Sequence, residues 1–309
     1  MMENKWLTLL ACVLAVLFSV HTMSGQTQLI VPDLSVPTKV SPGYFGPNAF
    51  PVPDMLDGRT SPVLKLEMYS DNSFGTMAGA LDDFTSSLFL RLSIPLFTPR
   101  VNLVVYGPIM EYYSVSEKVG RLRRIVWRGD KPLRKAIAGD VYVSTDIMLL
   151  IQDRHNVDMT VRAALKSASG GYFEQARFYD CPGYFFDASF GRDFCLGDEN
   201  VIRASLSSGF LCWQTADGRQ NDAVMYGVQA AYRSGPFNVS ADFGGYAGWE
   251  NDGDRPMTIK ARASWAFSPV TLVAGYQYGF VDWPFHQIRL GLALTFGKFQ
   301  YSRKFPACP

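Results

Sequence analysis

"AVMYGVQAAYRSGPFNVSADFGGYAGWENDGDRPMTIKARASWAFSPVTLVAGYQYGFVDWPFHQIRLGLALTF", residues 223–296, repeats one unit three times. The unit is a strand-like run, a short turn, a second run, and a longer polar connection. Each run alternates at period two, so each has an apolar face and a polar face. Met257, Ile259, Ala261, Ala263 and Trp265 share one side, and Thr258, Lys260, Arg262 and Ser264 the other. Phe237, Val239, Ala241 and Phe243 oppose Asn238, Ser240, Asp242 and Gly244. Ile288, Leu290, Leu292, Leu294 and Phe296 oppose Gln287, Arg289, Gly291 and Thr295. One such strand fits any half-buried sheet. A succession of runs about ten residues long, aromatic near their ends, predicts a closed transmembrane barrel with lipid outside and polar side chains inside.

Working outward, twelve runs are expected: Val63 to Tyr69, Ser87 to Pro95, Val101 to Tyr106, Asp140 to Gln152, Val157 to Lys166, Tyr184 to Arg192, Val201 to Trp213, Ala223 to Arg233, Phe237 to Trp249, Met257 to Ala266, Val270 to Phe280, and Phe285 to Phe296. Their connections alternate. "LFTPR", "DRHN", "CLGDE", "SGP" and "FSP" are short, and those after Tyr69, Tyr106, Lys166, Trp213, Trp249 and Phe280 are longer or richer in Gly, Pro and charge. The reading is all-β, an antiparallel barrel of about 12 strands over residues 63–296, with both termini on the short-turn side.

In these features the chain resembles the outer-membrane β-barrel proteins of diderm bacteria, porin-like in architecture. Arg289-x-Gly291-x-x-Leu294-x-Phe296 is similar to the signal by which a last strand is recognised for insertion, with Leu294 where an aromatic is common. The resemblance implies residence in the outer membrane, among membrane lipid and lipopolysaccharide.

The ends agree with export. Residues 1–25 hold Lys5, an apolar run from Trp6 to Val20, and Ser24 and Gly25 at a cleavage position, which reads as a signal peptide. Residues 26–62 carry seven prolines and are extended. They form either a periplasmic arm or a plug folded into the barrel, for which "YFGPNAFPVP" supplies apolar surface. Residues 297–309 form a periplasmic tail. With 48% hydrophobic residues and no apolar run of membrane-helix length beyond the leader, the chain fits spanning strands. A net charge of +1 gives no reason to expect a nucleic-acid partner.

The expected lumen face carries Lys65, Glu67, Arg91, Asp146, Arg162, Lys166, Asp187, Arg203, Asp242, Lys260, Arg262 and Arg289. Basic groups outnumber acidic ones, so an open lumen would prefer anions; a ladder of internal salt bridges is the other reading. Residues 107–139 form an expected basic loop with Arg121, Arg123, Arg124, Arg128, Lys131, Arg134 and Lys135, suited to lipopolysaccharide phosphates or to narrowing the pore. Four cysteines follow the leader. Strand positions favour disulfides between Cys181 and Cys212 and between Cys195 and Cys308, with reduced thiols as the alternative.

His155 and His286 have no nucleophile and orienting acid at suggestive spacing. No phosphate loop, zinc motif or hydrolase elbow occurs, so no cofactor or metal is expected, and an enzyme, as a barrel hydrolase, is only a minor alternative. The function reading is a channel or transporter for small polar or anionic solutes, gated by the proline-rich segment or the basic loop. The alternative is a non-conducting structural, assembly or interaction protein with a periplasmic or outer-membrane protein partner.

Overall fold

The computed structural model describes residues 45–76, 83–122, 133–172, 176–179, 181–197, 199–214, 220–249 and 253–297. Its strands are β1 (Leu64–Gly75), β2 (Asp83–Leu96), β3 (Thr98–Val115), β4 (Arg134–Ile137), β5 (Tyr142–Leu150), β6 (Asp158–Lys166), β7 (Gly183–Cys195), β8 (Asn200–Gln214), β9 (Gln220–Ser234), β10 (Phe237–Gly248), β11 (Met257–Phe267), β12 (Val270–Val281) and β13 (Phe285–Phe296). Two short helices, α1 (Glu117–Leu122) and α2 (Gln152–His155), lie between strands. The strands pair antiparallel around a ring that β1 and β13 close, Leu64 opposite Phe296 through Gly75 opposite Phe285. Glu111 opposite Ile137 and Tyr106 opposite Tyr142 show that β4 and β5 share one register on the same edge of β3. They form one interrupted strand, so the wall has twelve.

Closure follows from the period-two sequence. With each strand of the wall paired to a neighbour on both sides, no sheet edge is left to meet hydrocarbon. The outward residues are apolar and exposed, among them Leu165, Leu206, Val228, Ile259, Leu272 and Leu290. Tyr112, Phe186, Phe210, Trp249 and Phe280 ring the loop end, and Phe97, Phe194, Tyr232, Trp265 and Phe267 the turn end. Such a surface is a liability in water. In a bilayer it is an apolar band between two aromatic girdles.

Strand ends differ from the sequence reading. β1 continues past Tyr69 to Gly75, β3 past Tyr106 to Val115, and β7 past Arg192 to Cys195. Residues 107–115 and 134–137 of the expected basic loop are therefore strand. The β12–β13 connection is only Asp282–Pro284, as short as the turns at the other end, so the strict alternation of connection lengths fails there. Residues 1–25, the expected signal peptide, lie outside the described residues, as do 26–44 and 298–309.

The expected Cys181–Cys212 disulfide is not formed; both are buried thiols. The register explains it, because Cys212 lies opposite Tyr184 on the outward side. Cys181 packs inside the lumen with Phe45, Phe50 and Trp213. A barrel wall separates them. Cys195 is disulfide-bonded, and its expected partner Cys308 lies outside the described residues.

Residues 45–62 lie inside the ring. Phe45 and Phe50 are buried with Tyr142, Trp213, Tyr246, Trp283 and Phe285 at the loop end. Asp57 and Arg59 lie at the turn end, against Arg203, Asp158 and Asp193. The segment is a strap that runs the length of the lumen and then joins β1.

Candidate functional site: a strapped lumen

The strap is held in three ways along its length. Its head is apolar: Phe45 and Phe50 meet edge to face at 5.4 Å, and Phe50 lies 6.2 Å from Trp213. Pro47 starts a turn that the Ala49 N–H closes by donating to the Gly46 carbonyl at 3.1 Å, and the prolines at 47, 51 and 53 leave no donor of their own to orphan in the lumen. Asn48 donates to Ser87 Oγ at 2.8 Å and to Glu111 Oε2 at 2.7 Å.

The middle is a latch. Lys260 Nζ stands 2.7 Å from Asp54 Oδ1 and Arg289 Nη1 stands 3.7 Å from Asp54 Oδ2. Arg162 donates to the Asp54 carbonyl at 3.0 Å. The foot is ionic, with Arg59 Nε 2.8 Å from Asp158 and Arg59 Nη2 2.6 Å from Asp193. Arg203 donates to the Asp57 carbonyl and pairs with Asp158 and Asp193. Two wall glycines make room. A Cβ on Gly191 would stand 2.0 Å from the Asp57 carbonyl oxygen, and one on Gly227 would stand 2.3 Å from Met55 Sδ.

All ten lumen positions expected from sequence for selectivity turn inward. Lys65, Glu67, Arg91, Arg203, Asp242 and Arg262 line a cavity of about 400 Å³ toward the turn end. Arg162, Lys260 and Arg289 line a smaller one of about 70 Å³ toward the loop end. Lys166 is buried near the loop end, 2.7 Å from Asp140. Asp146 and Asp187 are also buried in the lumen, Asp187 2.6 Å from Arg162. The Asp54 latch stands between the two cavities and borders both.

The apparent excess of base is largely matched by acids the sequence reading left out. Asp54, Asp57, Asp71, Asp140, Asp158 and Asp193 each pair with a lumen cation. Buried charges need such partners, since an unpaired ion in a low-dielectric interior costs several kcal/mol or more. The cations around Asp54 differ in how they are held. Arg289 takes two 2.7 Å bonds to Asp71 and lies over the rings of Tyr69 and Phe89 at 4.8 and 5.0 Å. Among the described residues the Lys260 side chain bonds to the strap alone, through Asp54 and the Val52 carbonyl at 3.4 Å. Arg262, among the described residues, makes no hydrogen bond or ion pair and borders the larger cavity.

Of the basic-loop residues, Arg134 and Lys135 lie exposed on β4, Lys135 against the Tyr172 ring. Arg121 is in α1, and Arg123, Arg124, Arg128 and Lys131 lie outside the described residues. His155 is exposed in α2, and His286 stacks on Tyr278 at 4.7 Å on the outer face. His286 Nδ1 lies 2.7 Å from the Tyr276 hydroxyl, and among the described residues neither histidine is hydrogen-bonded to a serine or cysteine. Among the described residues no group of three His, Cys, Asp or Glu is placed to hold a metal ion.

A closed antiparallel ring with an apolar exterior and a charged interior defines a β-barrel of the outer-membrane type. Among solved structures it is similar to an outer membrane channel from Pseudomonas putida F1, at a TM-score of 0.55 and 14% identity, over 79% of this chain and 100% of that one. Weaker likenesses include the KdgM porin (TM-score 0.45, 8% identity, 75% of this chain and 99% of that one) and the NanC porin (0.42, 11%, 75% and 100%). No family model and no curated protein matches the sequence.

Proposed function

We propose that the protein is an outer-membrane channel for small polar or anionic solutes whose lumen is held shut by its own residues 45–59. One observation carries this reading. Beside the strap, the barrel encloses a cavity of about 400 Å³ lined by Lys65, Arg91, Arg233 and Arg262 with Asp146 and Asp242, instead of a packed apolar core. A wall built only for rigidity would fill that volume with side chains. Solute would move along the face of β9–β13, β1 and β2, and the latch at Asp54 is the point it must pass. The solved structure of fold-level likeness carries the name of an outer membrane channel, which accords with this assignment.

Single-channel conductance of the refolded protein in planar bilayers, with and without residues 26–60 and at two salt concentrations, tests it. Discrete steps with anion preference are expected in the shortened chain, and smaller or rarer ones in the full chain, where they mark release of the strap. A correctly folded, silent barrel in both forms would overturn the channel.

The ion-pair network favours one second reading, a closed barrel that anchors its loops to a periplasmic or outer-membrane partner. On either reading the basic stretch between β3 and β4 would meet lipopolysaccharide phosphates, an assignment that the exposed Arg134 and Lys135 support. Replacing both with Gln should weaken salt-sensitive binding to lipopolysaccharide without altering conductance.

A further inference from the structure

Three cations and two wall carboxylates meet where the strap crosses the middle of the lumen. Lys260 and Arg262 are on β11, Arg289 on β13, Asp71 on β1 and Asp242 on β10. Asp71 is committed to Arg289 by two bonds of 2.7 Å. Asp242 lies opposite Lys260 in the strand register, yet Lys260 Nζ reaches past it to Asp54. Without the strap, this part of the wall has one positive charge more than it can match from its own carboxylates. The carboxylate of Asp54 supplies the missing negative charge, and it does so from a segment that has no covalent tie to the wall at that height.

We propose that Lys260, Arg262 and Arg289 form a binding site for the carboxylate of a small organic monoanion, occupied here by Asp54 as an internal stand-in. The inference rests on the channel reading and deepens it by naming a solute class and a trigger. An incoming carboxylate exchanges with Asp54: it takes the Lys260 ammonium and the unpaired Arg262 guanidinium, while Arg289, fixed by Asp71, Tyr69 and Phe89, gives the site its rigid side. The exchange is charge-neutral, since one carboxylate leaves as another enters, so the partly buried cations are never left bare. Ser240 and Ser264, which flank Arg262 in the cavity lining, offer hydroxyls to a polar solute body. A neutral solute lacks the group that releases the latch.

The test uses the full chain, shown to be folded by its heat-modifiable migration, with gluconate as probe and glucose as neutral control at constant ionic strength. Gluconate binding is read from tryptophan fluorescence, since Trp213 and Trp283 surround the strap head. Conductance is read in planar bilayers. Asp54→Asn should bind gluconate about tenfold more tightly than the unaltered chain, because a charge-assisted internal competitor is gone. Lys260→Gln placed on Asp54→Asn should reverse that gain, and glucose should bind none of the three. Unchanged gluconate affinity in Asp54→Asn overturns the inference, even if its conductance rises and the channel reading stands. Tighter gluconate binding in a barrel that never conducts supports the site and removes the channel.

Discussion

Arg177 places Nε 2.8 Å and Nη2 2.6 Å from the same Glu111 oxygen, and both side chains are fully buried at the loop end of the lumen. Nη2 also donates to Thr85 Oγ1 at 2.7 Å, and the guanidinium lies over Tyr113 at 4.9 Å. This pair fastens the loop segment 176–179 to β3 and, through Asn48 on the other Glu111 oxygen, to the strap. Arg177→Met should therefore destabilise the barrel by about 3–5 kcal/mol, because it strands a buried carboxylate. Pairing it with Glu111→Met should restore most of the loss. Urea unfolding in detergent, followed by gel migration, measures both.

The exterior makes a different demand. Leu290 is 55% exposed on the lipid-facing side of β13, beside Ile288 at 44%. Leu290→Arg should cost about 2–4 kcal/mol of folding free energy in lipid vesicles if the site lies near the bilayer midplane. Arg289→Leu, one residue away but facing inward, should instead strand Asp71. Equal effects of Leu290→Arg in vesicles and in a charged-detergent micelle would contradict the lipid-facing assignment.

The thiols of Cys181 and Cys212 are buried on opposite sides of the wall. Maleimide should label neither until the barrel unfolds, and non-reducing mass mapping should find no 181–212 link. A 181–212 peptide would mean that the register between β7 and β8 is wrong.

Gly191 faces the strap foot with no room for a side chain. Gly191→Val keeps a residue suited to a strand but drives Cβ into the Asp57 carbonyl, so the foot must lift from the wall. Arg59 then loses Asp158 and Asp193, and trypsin should cut after Arg59 at least about tenfold faster, tracking the population of the lifted state. Conductance should rise in parallel on the channel reading. Unchanged trypsin sensitivity would place the strap elsewhere.

The wall was legible because lipid and lumen enforce period two on every strand. Met257 to Trp265 and Ile288 to Phe296 announce their outward face by residue type alone, and all twelve wall strands were anticipated. What escaped detection were strand extensions whose inward residues are charged. Asp71, Glu111 and Asp193 lie just beyond the expected strand ends, where an acidic residue looks like the start of a loop. They are in fact the partners of Arg289, Arg177 and Arg203. Asp158 lay within an expected strand with the right parity, beside Arg162, and that parity was the one signal that could have found it. The cysteine pairing failed because proximity along two strands says nothing about which face each side chain takes. For the proline-rich segment, apolar residues at 45, 50 and 52 were the hint of a plug, but choosing between arm and plug needs the matching surface of Trp213, Tyr246 and Trp283, spread over β8, β10 and the β12–β13 connection.

The position of the strap predicts an order of assembly. It precedes β1, its far end at Phe45 sits deep in the loop-end core, and the seam that completes the ring joins β1 to β13, the first strand to the last. Laying residues 45–59 against a sheet that is still open avoids dragging Phe45, Phe50 and the Asp54 carboxylate through a finished tube lined with charge. On that route the strap would act as a mandrel around which the sheet curls, with the seam zipped last. Intermediates held open at the β1–β13 seam should already protect Arg59 from trypsin; rapid cleavage there would show that the strap enters after closure.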